Sequence, residues 1–391
     1  MTTGPLVHGM GTELVAPDWS PLTDEEVRSV LSYYPAPSGG AGTGDARITW
    51  HSPRPMSSAA LVQRGDDTVF VKRHDRRVRS ASQLGPEHAL ARHLRGGGLH
   101  VPGALPTVTG ESTLSTDGSV YEVHEQAVGV DLYRYAMSWT AFSSLGHARA
   151  AGVALARFHG AAATFSRPAR PLAVLMSSCE VLTATDPLAR VAQLQVDRPG
   201  LAGYLSGRRW DEDLGRCHVP VIRRVAPLLR SLPPQWGHGD WHPSNLTWTS
   251  ARPDAKVAAV FDLGLANRTS AVYDLATALE RSTVSWLQLA QTGQARADLD
   301  AVAALLDGYQ ATRPLSAAEW ATLPELLPVV HVEYALSEVE YFSDVVHSTA
   351  NADLTYDTYL IGHTRWFEGP DGSELVDLVR RTARAVCRDD L

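Results

Sequence analysis

Residues 236–245 read WGHGDWHPSN, and two chemistries can claim them. His238, Asp240 and His242 alternate as metal ligands on one side of a strand would. Asp240 and Asn245, five residues apart, instead have the interval of a phosphotransferase catalytic loop. In such a loop a carboxylate orients a hydroxyl and accepts its proton, and an amide oxygen is a hard ligand suited to magnesium. The choice rests on which partners the rest of the chain supplies.

Two partners for the second reading stand out. Residues 257–264, VAAVFDLG, run apolar straight into Asp262. A carboxylate ending a buried strand is costly unless it is paired or holds a cation, which makes Asp262 a second candidate magnesium ligand. Residues 68–73, TVFVKR, alternate as a strand and carry Lys72, whose ammonium can reach the α and β phosphates of a nucleotide. Lysine occurs only at Lys72 and Lys256, and asparagine only at Asn245, Asn267 and Asn351. Against that background, finding each type where phosphoryl transfer needs it is informative. Glu87, in the segment PEHALARHL, is placed to pair with Lys72 and fix it.

The chain has 391 residues, enough for two packed units, and an ordinary apolar fraction of 44%. Its formal charge of -8 argues against nucleic acid as a partner, because such affinity comes from Lys and Arg neutralising phosphates. The basic run KRHDRRVR at residues 72–79 is short, and its arginines read as a solvated face. Cys179, Cys217 and Cys387 are far apart and show no metal or disulfide spacing. No apolar stretch of membrane-spanning length or leader pattern is read, so a cytoplasmic location without membrane association is expected.

Residues 20–35 open with Thr23 and Glu26 in capping-box spacing and predict a short helix. The glycine-rich residues 36–46, APSGGAGTGDA, read as a flexible linker, since they match no phosphate-cradling motif. RITWH, AALVQR and TVFVKR then predict an antiparallel meander with a turn at Gly65 to Asp67. A helix follows with Pro86 in its first turn, and a further strand pair runs to about residue 128. Beyond Gly129 the spacing is mainly helical, interrupted by two short strands around the central stretch. The expected organisation is α+β: a leading helix and linker at 1–45, a sheet-rich nucleotide-binding lobe at 46–128, and a helical lobe at 129–391 with the catalytic loop and acceptor-binding helices.

HGDWHPSN, VFDLG and YDLA, in this order and at these intervals, make the chain resemble the aminoglycoside phosphotransferase and choline kinase group of small-molecule kinases. The resemblance runs from about Arg47 to at least Glu280 and includes ALARFHG with His159. It implies a bilobal protein-kinase-like fold, ATP or GTP with Mg2+, Asp240 as catalytic base, Asn245 and Asp262 on the metal, and Lys72 on the phosphates. It also implies that Asp274 braces the catalytic loop and that backbone groups from Glu125 to Ala127 hold the adenine. The chain departs from protein kinases in lacking glycines between its first two strands, where Ser57 and Ser58 would donate backbone N–H groups instead. Gly239 follows His238 where protein kinases carry Arg, which speaks for a small-molecule acceptor.

The metal-hydrolase reading leaves Lys72, Asn245 and Asp262 without roles, and His238 and His242 then become supports for the loop. A nucleotide-binding protein without catalysis is the other alternative. For the acceptor, a small-molecule alcohol, Glu333, Ser337, Glu340 and Asp344 share one face of a predicted helix. That acidic face would suit an amino sugar, an aminoglycoside or an amino alcohol, with Trp366 among the rings on which a sugar could stack. The sequence does not fix the oligomeric state.

Overall fold

In the computed structural model, which describes residues 6–36, 45–116, 118–171 and 173–389, the chain divides into two units. One is Met1–Gly129 with Ala259–Gly264, and the other is Val130–Ala258 with Leu265–Leu391. The short segment carrying Asp262 therefore belongs to the first unit, although its place in the sequence suggested the second. Most of the glycine-rich linker read from the sequence, residues 37–44, lies outside the described residues.

The first unit is built on a five-stranded antiparallel sheet. Its strands are β1 (Arg47–His51), β2 (Ser58–Arg64), β3 (Asp67–Asp75), β4 (Leu114–Ser115) and β5 (Ser119–Glu125). Their spatial order is β1-β2-β3-β5-β4. Alternation assigns each side chain to a face. Ala60, Val62, Val69, Val71, Tyr121 and Val123 pack on the leading helix Asp24–Leu31 through Leu22, Val27, Val30, Leu31 and Tyr34. That helix is thus part of the core rather than a separate leader. Thr23 caps it by accepting from the Glu26 backbone N–H. The Glu26 carboxylate, which a full capping box would turn back to its own helix, reaches Arg73 at 2.6 Å and the Tyr121 hydroxyl at 2.8 Å.

The opposite face of the sheet carries titratable side chains. Lys72 pairs in register with Glu122, and Phe70 with His124, so Lys72, His74, Glu122 and His124 project to one side. The helix Ala81–Gly96 contributes Glu87 and His88. It starts five residues before Pro86, because Ser80 and Gln83 form a reciprocal capping box. Pro86 is therefore interior, and Glu87 is a buried side chain rather than a first-turn acid. The basic run is also less exposed than its composition suggested: Arg79 is buried and donates to the carbonyls of Val78 and Gly264.

In the second unit the helices Leu145–Ala162 and Leu299–Gln310 approach closely. A Cβ on Gly152 would lie 2.0 Å from the Leu305 carbonyl oxygen, so only glycine fits there. This contact brings Tyr309 to His159, which it meets through its hydroxyl at 2.8 Å. The strands Gln235–Gly237 and Asn267–Thr269, not foreseen from the sequence, pair antiparallel and flank the central stretch. The helix Ala271–Thr283 follows directly and is buried along its whole length.

Candidate active site

The loop 238–245 is held from below by one carboxylate. Asp274 accepts from the backbone N–H of His238 at 2.7 Å and of Gly239 at 2.8 Å, and His159 Nε2 lies 3.0 Å from its Oδ2. Asp274 and His159 are fully buried, so the sequence-predicted brace acquires three partners and a second row through Tyr309. Gly239 has a positive φ of 77°, and a Cβ there would sit 2.3 Å from the Leu265 carbonyl oxygen. Both conformation and space exclude the arginine that protein kinases carry at this point.

Held this way, the loop presents Asp240. Its backbone N–H donates to His238 Nδ1 at 3.2 Å, and His242 Nε2 lies 3.4 Å from its Oδ2. His242 is itself tied through Nδ1 to the Ser244 hydroxyl at 2.9 Å. Asn245 Nδ2 donates to the Asp240 carbonyl at 2.9 Å and to its carboxylate at 3.1 Å. That commits the amide nitrogen and turns Oδ1 away from Asp240, as a magnesium ligand requires. The histidines therefore shape the loop. Among the described residues, the groups whose donor atoms converge on a common point are His88–Glu122–His124 and Glu280–His331–His363, not His238–Asp240–His242.

One partner of Asp240 was missed in the sequence. Arg281 makes an ion pair with the Asp240 carboxylate inside the protein. Its guanidinium lies 5.2 Å from the ring centre of Trp139 and 4.8 Å from that of Tyr334. Burial works to raise the Asp240 carboxyl, but Arg281, His242 and His238 prevail and hold it well below the usual carboxylate range. Asp240 is thus ionised. A signal for Arg281 exists: it lies seven residues, two helical turns, after Asp274 on the same helix, and so on the same face.

Beside this pair is a small cavity of 10 Å³ bordered by Ser177, Tyr273, Glu280, Arg281, His331, Tyr334 and Tyr359, among others, room for about one water. Burial pushes the Glu280 carboxyl up to about 7, and His363 Nδ1 lies 2.7 Å from it. Burial likewise pulls His331 down to about 3, with His363 beside it adding to the effect.

The acidic face read from the sequence does not line this space as free acids. Glu333 accepts from the Ser178 N–H and hydroxyl, at 2.9 and 2.7 Å, and from the N–H groups of Val181 and Leu182. Glu340 is ion-paired with buried Arg198. Trp366 donates to the Ala295 carbonyl at 2.9 Å and packs edge-on against Trp286. All three serve the packing of the helical unit.

In the first unit, Lys72 Nζ lies 3.1 Å from Asp262 Oδ1. Burial works to lower the lysine, and Asp262, Glu122 and Glu87 together raise it. Glu87 thus adds negative potential at Lys72, while the ion pair is with Asp262. Asp262 has a φ of 59°, a left-handed conformation that a non-glycine residue adopts at a cost, and one found disproportionately at functional sites. Ser58 begins β2 and donates its hydroxyl to the Ser20 carbonyl at 2.7 Å; Ser57 precedes it in the turn. The Glu125 carboxylate is held by Arg95 and by the Gly103 N–H at 3.2 Å. Glu125 and Ala127 also border a cavity of 310 Å³ with Leu99, His100 and Val101.

Residues 57–315 match the model of the phosphotransferase enzyme family. A protein of Deinococcus radiodurans is 27% identical over 282 residues, covering 70% of this chain and 72% of that one. Among solved structures, a microcompartment-associated aminopropanol kinase is similar with a TM-score of 0.54 at 17% identity, over 86% of this chain and 97% of its own. An amicoumacin kinase in complex with AMP-PNP, Ca2+ and Ami has a TM-score of 0.57 at 13% identity, over 86% of this chain and 90% of its own. The fold is α+β and kinase-like, an antiparallel five-stranded sheet followed by a helical region.

Proposed function

Because this chain belongs to the phosphotransferase enzyme family, we propose that it moves the terminal phosphate of ATP or GTP, with Mg2+, to a hydroxyl of a small molecule. The observation that carries this reading is Asp240: a buried, ionised carboxylate on a loop braced by Asp274, with Asn245 five residues on offering its amide oxygen. Asp240 orients the acceptor hydroxyl and takes its proton late, as a loose transition state demands. Lys72 steadies the phosphates, and backbone groups between Glu125 and Ala127 hold the base. Asn245 and Asp262 present hard oxygen donors, the chemistry magnesium prefers. The bound ion would neutralise charge on the phosphates.

The acceptor meets Asp240 next to Arg281. A second cation there would meet both the Arg281 guanidinium and the Asp240 carboxylate it pairs with, so the pair itself presents little net charge. Glu333 and Glu340, which could have drawn an ammonium group, are engaged within the fold. The acceptor is therefore read as a small-molecule alcohol, with or without amino groups.

The test is transfer from labelled ATP with Mg2+ to a panel of sugars, amino sugars, aminoglycosides and simple alcohols, with wild type and Asp240→Asn. An acceptor labelled by the wild type and not by the variant supports the reading. Equal labelling by both, or nucleotide binding with no transfer to any class of alcohol, overturns it.

A further inference from the structure

Behind Lys72, three histidines converge on one buried carboxylate. His88 Nε2 lies 2.7 Å and His124 Nε2 3.1 Å from Glu122 Oε2, while His74 Nε2 lies 2.9 Å from Glu122 Oε1. We propose that His88, Glu122 and His124 form a binding site for a borderline-soft divalent cation of the zinc type, separate from the magnesium of phosphoryl transfer.

The geometry carries the assignment. The two imidazole nitrogens and the carboxylate oxygen lie within 4.8 Å of one another. Donors about 2.0–2.1 Å from a tetrahedral zinc stand roughly 3.4 Å apart, so the separations of 2.7 and 3.1 Å open by only a fraction of an ångström to admit the ion. The donors also sit on stiff supports. Glu122 and His124 are two residues apart on β5 and share a face, and His88 comes from the helix Ala81–Gly96 that covers it.

The surrounding hydrogen bonds are those of an outer shell. The Ser112 hydroxyl lies 2.9 Å from His88 Nδ1, which orients the ring with Nε2 towards the carboxylate. His74 engages the second oxygen of Glu122 and leaves the first for the ion. The His124 side chain is 19% exposed, whereas His88 and Glu122 are 3% exposed. Solvent therefore reaches one side of the set, giving an entry path and a water for the fourth position. Two imidazoles and one carboxylate with an open position suit zinc, whereas magnesium prefers oxygen donors alone. The bound ion ties helix to sheet in the unit that carries Lys72. The second convergent set, Glu280–His331–His363, is completely buried, and its His363 ring stacks on Trp286 at 3.5 Å, which leaves no such access.

The experiment uses full-length protein stripped with chelator and titrated with Zn2+ by calorimetry, and with Co2+ followed by visible absorption. One Zn2+ per chain, a tetrahedral Co2+ spectrum and a raised unfolding temperature are expected. Glutamine retains an N–H for Glu122, so His88→Gln and His124→Gln keep the fold and should each weaken Zn2+ binding at least about 100-fold, with Ser112→Ala weakening it about 10-fold. His363→Gln should leave it unchanged. Stripped wild type that takes up no Zn2+, or glutamine variants that bind it as wild type does, overturns the site. Loss of binding in His363→Gln alone would do the same, moving the ion to the other cluster.

Discussion

The first and second units each carry an acid paired with a cation, and the two pairs are built for opposite purposes. Lys72 and Asp262 meet through one contact of 3.1 Å with side chains 16% and 36% exposed. Arg281 and Asp240 are 7% and 12% exposed and lie among aromatic rings. An ion pair with one partner this open to solvent contributes at most about 1 kcal/mol, so in the proposed reaction Lys72 and Asp262 would exchange each other for phosphate and metal. A buried pair is far harder to open, because each partner left alone is a desolvated charge. In the proposed reaction the first pair would open when ligands bind, and the second would stay closed beside the acceptor.

The largest expected effect falls on the second pair. Asp240→Asn keeps the side-chain shape but leaves buried Arg281 without its carboxylate, so it should cost stability; in the folded variant, loss of the proposed proton acceptor should lower kcat by about 10³-fold, within the range of general-base contributions, with little change in the KM for ATP. Steady-state kinetics at saturating acceptor decide this. If kcat is unchanged, the carboxylate that Arg281 holds is not the base.

Removing the cations separates the pairs by stability. Arg281→Ala strands an ionised carboxylate in the interior and should cost about 3–5 kcal/mol in denaturant unfolding. Lys72→Ala should cost under about 1 kcal/mol, yet raise the KM for ATP and slow turnover. Lys256→Ala should alter neither stability nor kinetics. Equal losses of stability for Arg281→Ala and Lys72→Ala would erase the distinction between a permanent and an exchangeable pair.

The two pairs also differ in how far the sequence discloses them. Lys72 is legible because a period-two strand around a two-residue turn fixes which residues share its face, and Asp262 because an apolar run ends in it. Asp240, Asn245 and Asp274 follow from motif intervals. Arg281 is not legible by those rules: arginine is common in this chain, and only its two-turn distance from Asp274 marks it. Glu333 and Glu340 show the opposite failure. Periodicity puts them on one face of the helix Val332–Glu340 but does not say where that face points. Val332, Leu336 and Val339 are buried too, so the helix is enclosed on every side and its acids serve the fold. The start of the helix Ala81–Gly96 was misplaced because Pro86 is a familiar first-turn residue, while Ser80 and Gln83 had already closed a cap upstream.

A smaller effect sharpens the comparison through pH. Asp240 is held below its unfolded value, so the stability it contributes is present above the ordinary carboxylate range and is lost only as pH falls through its depressed folded value. Its neighbour Glu280 behaves in the reverse sense. Burial raises it from 4.5 to about 7, so between those values the unfolded chain has released a proton that the folded chain keeps. Stability therefore declines as pH rises through that window and levels off above it. Glu280→Gln removes this contribution and can still bond to His363. The variant should show a shallower decline in unfolding free energy across the window and gain on wild type towards its upper end. Parallel curves for the two proteins would mean that Glu280 is already ionised in the fold, a second negative charge beside Arg281.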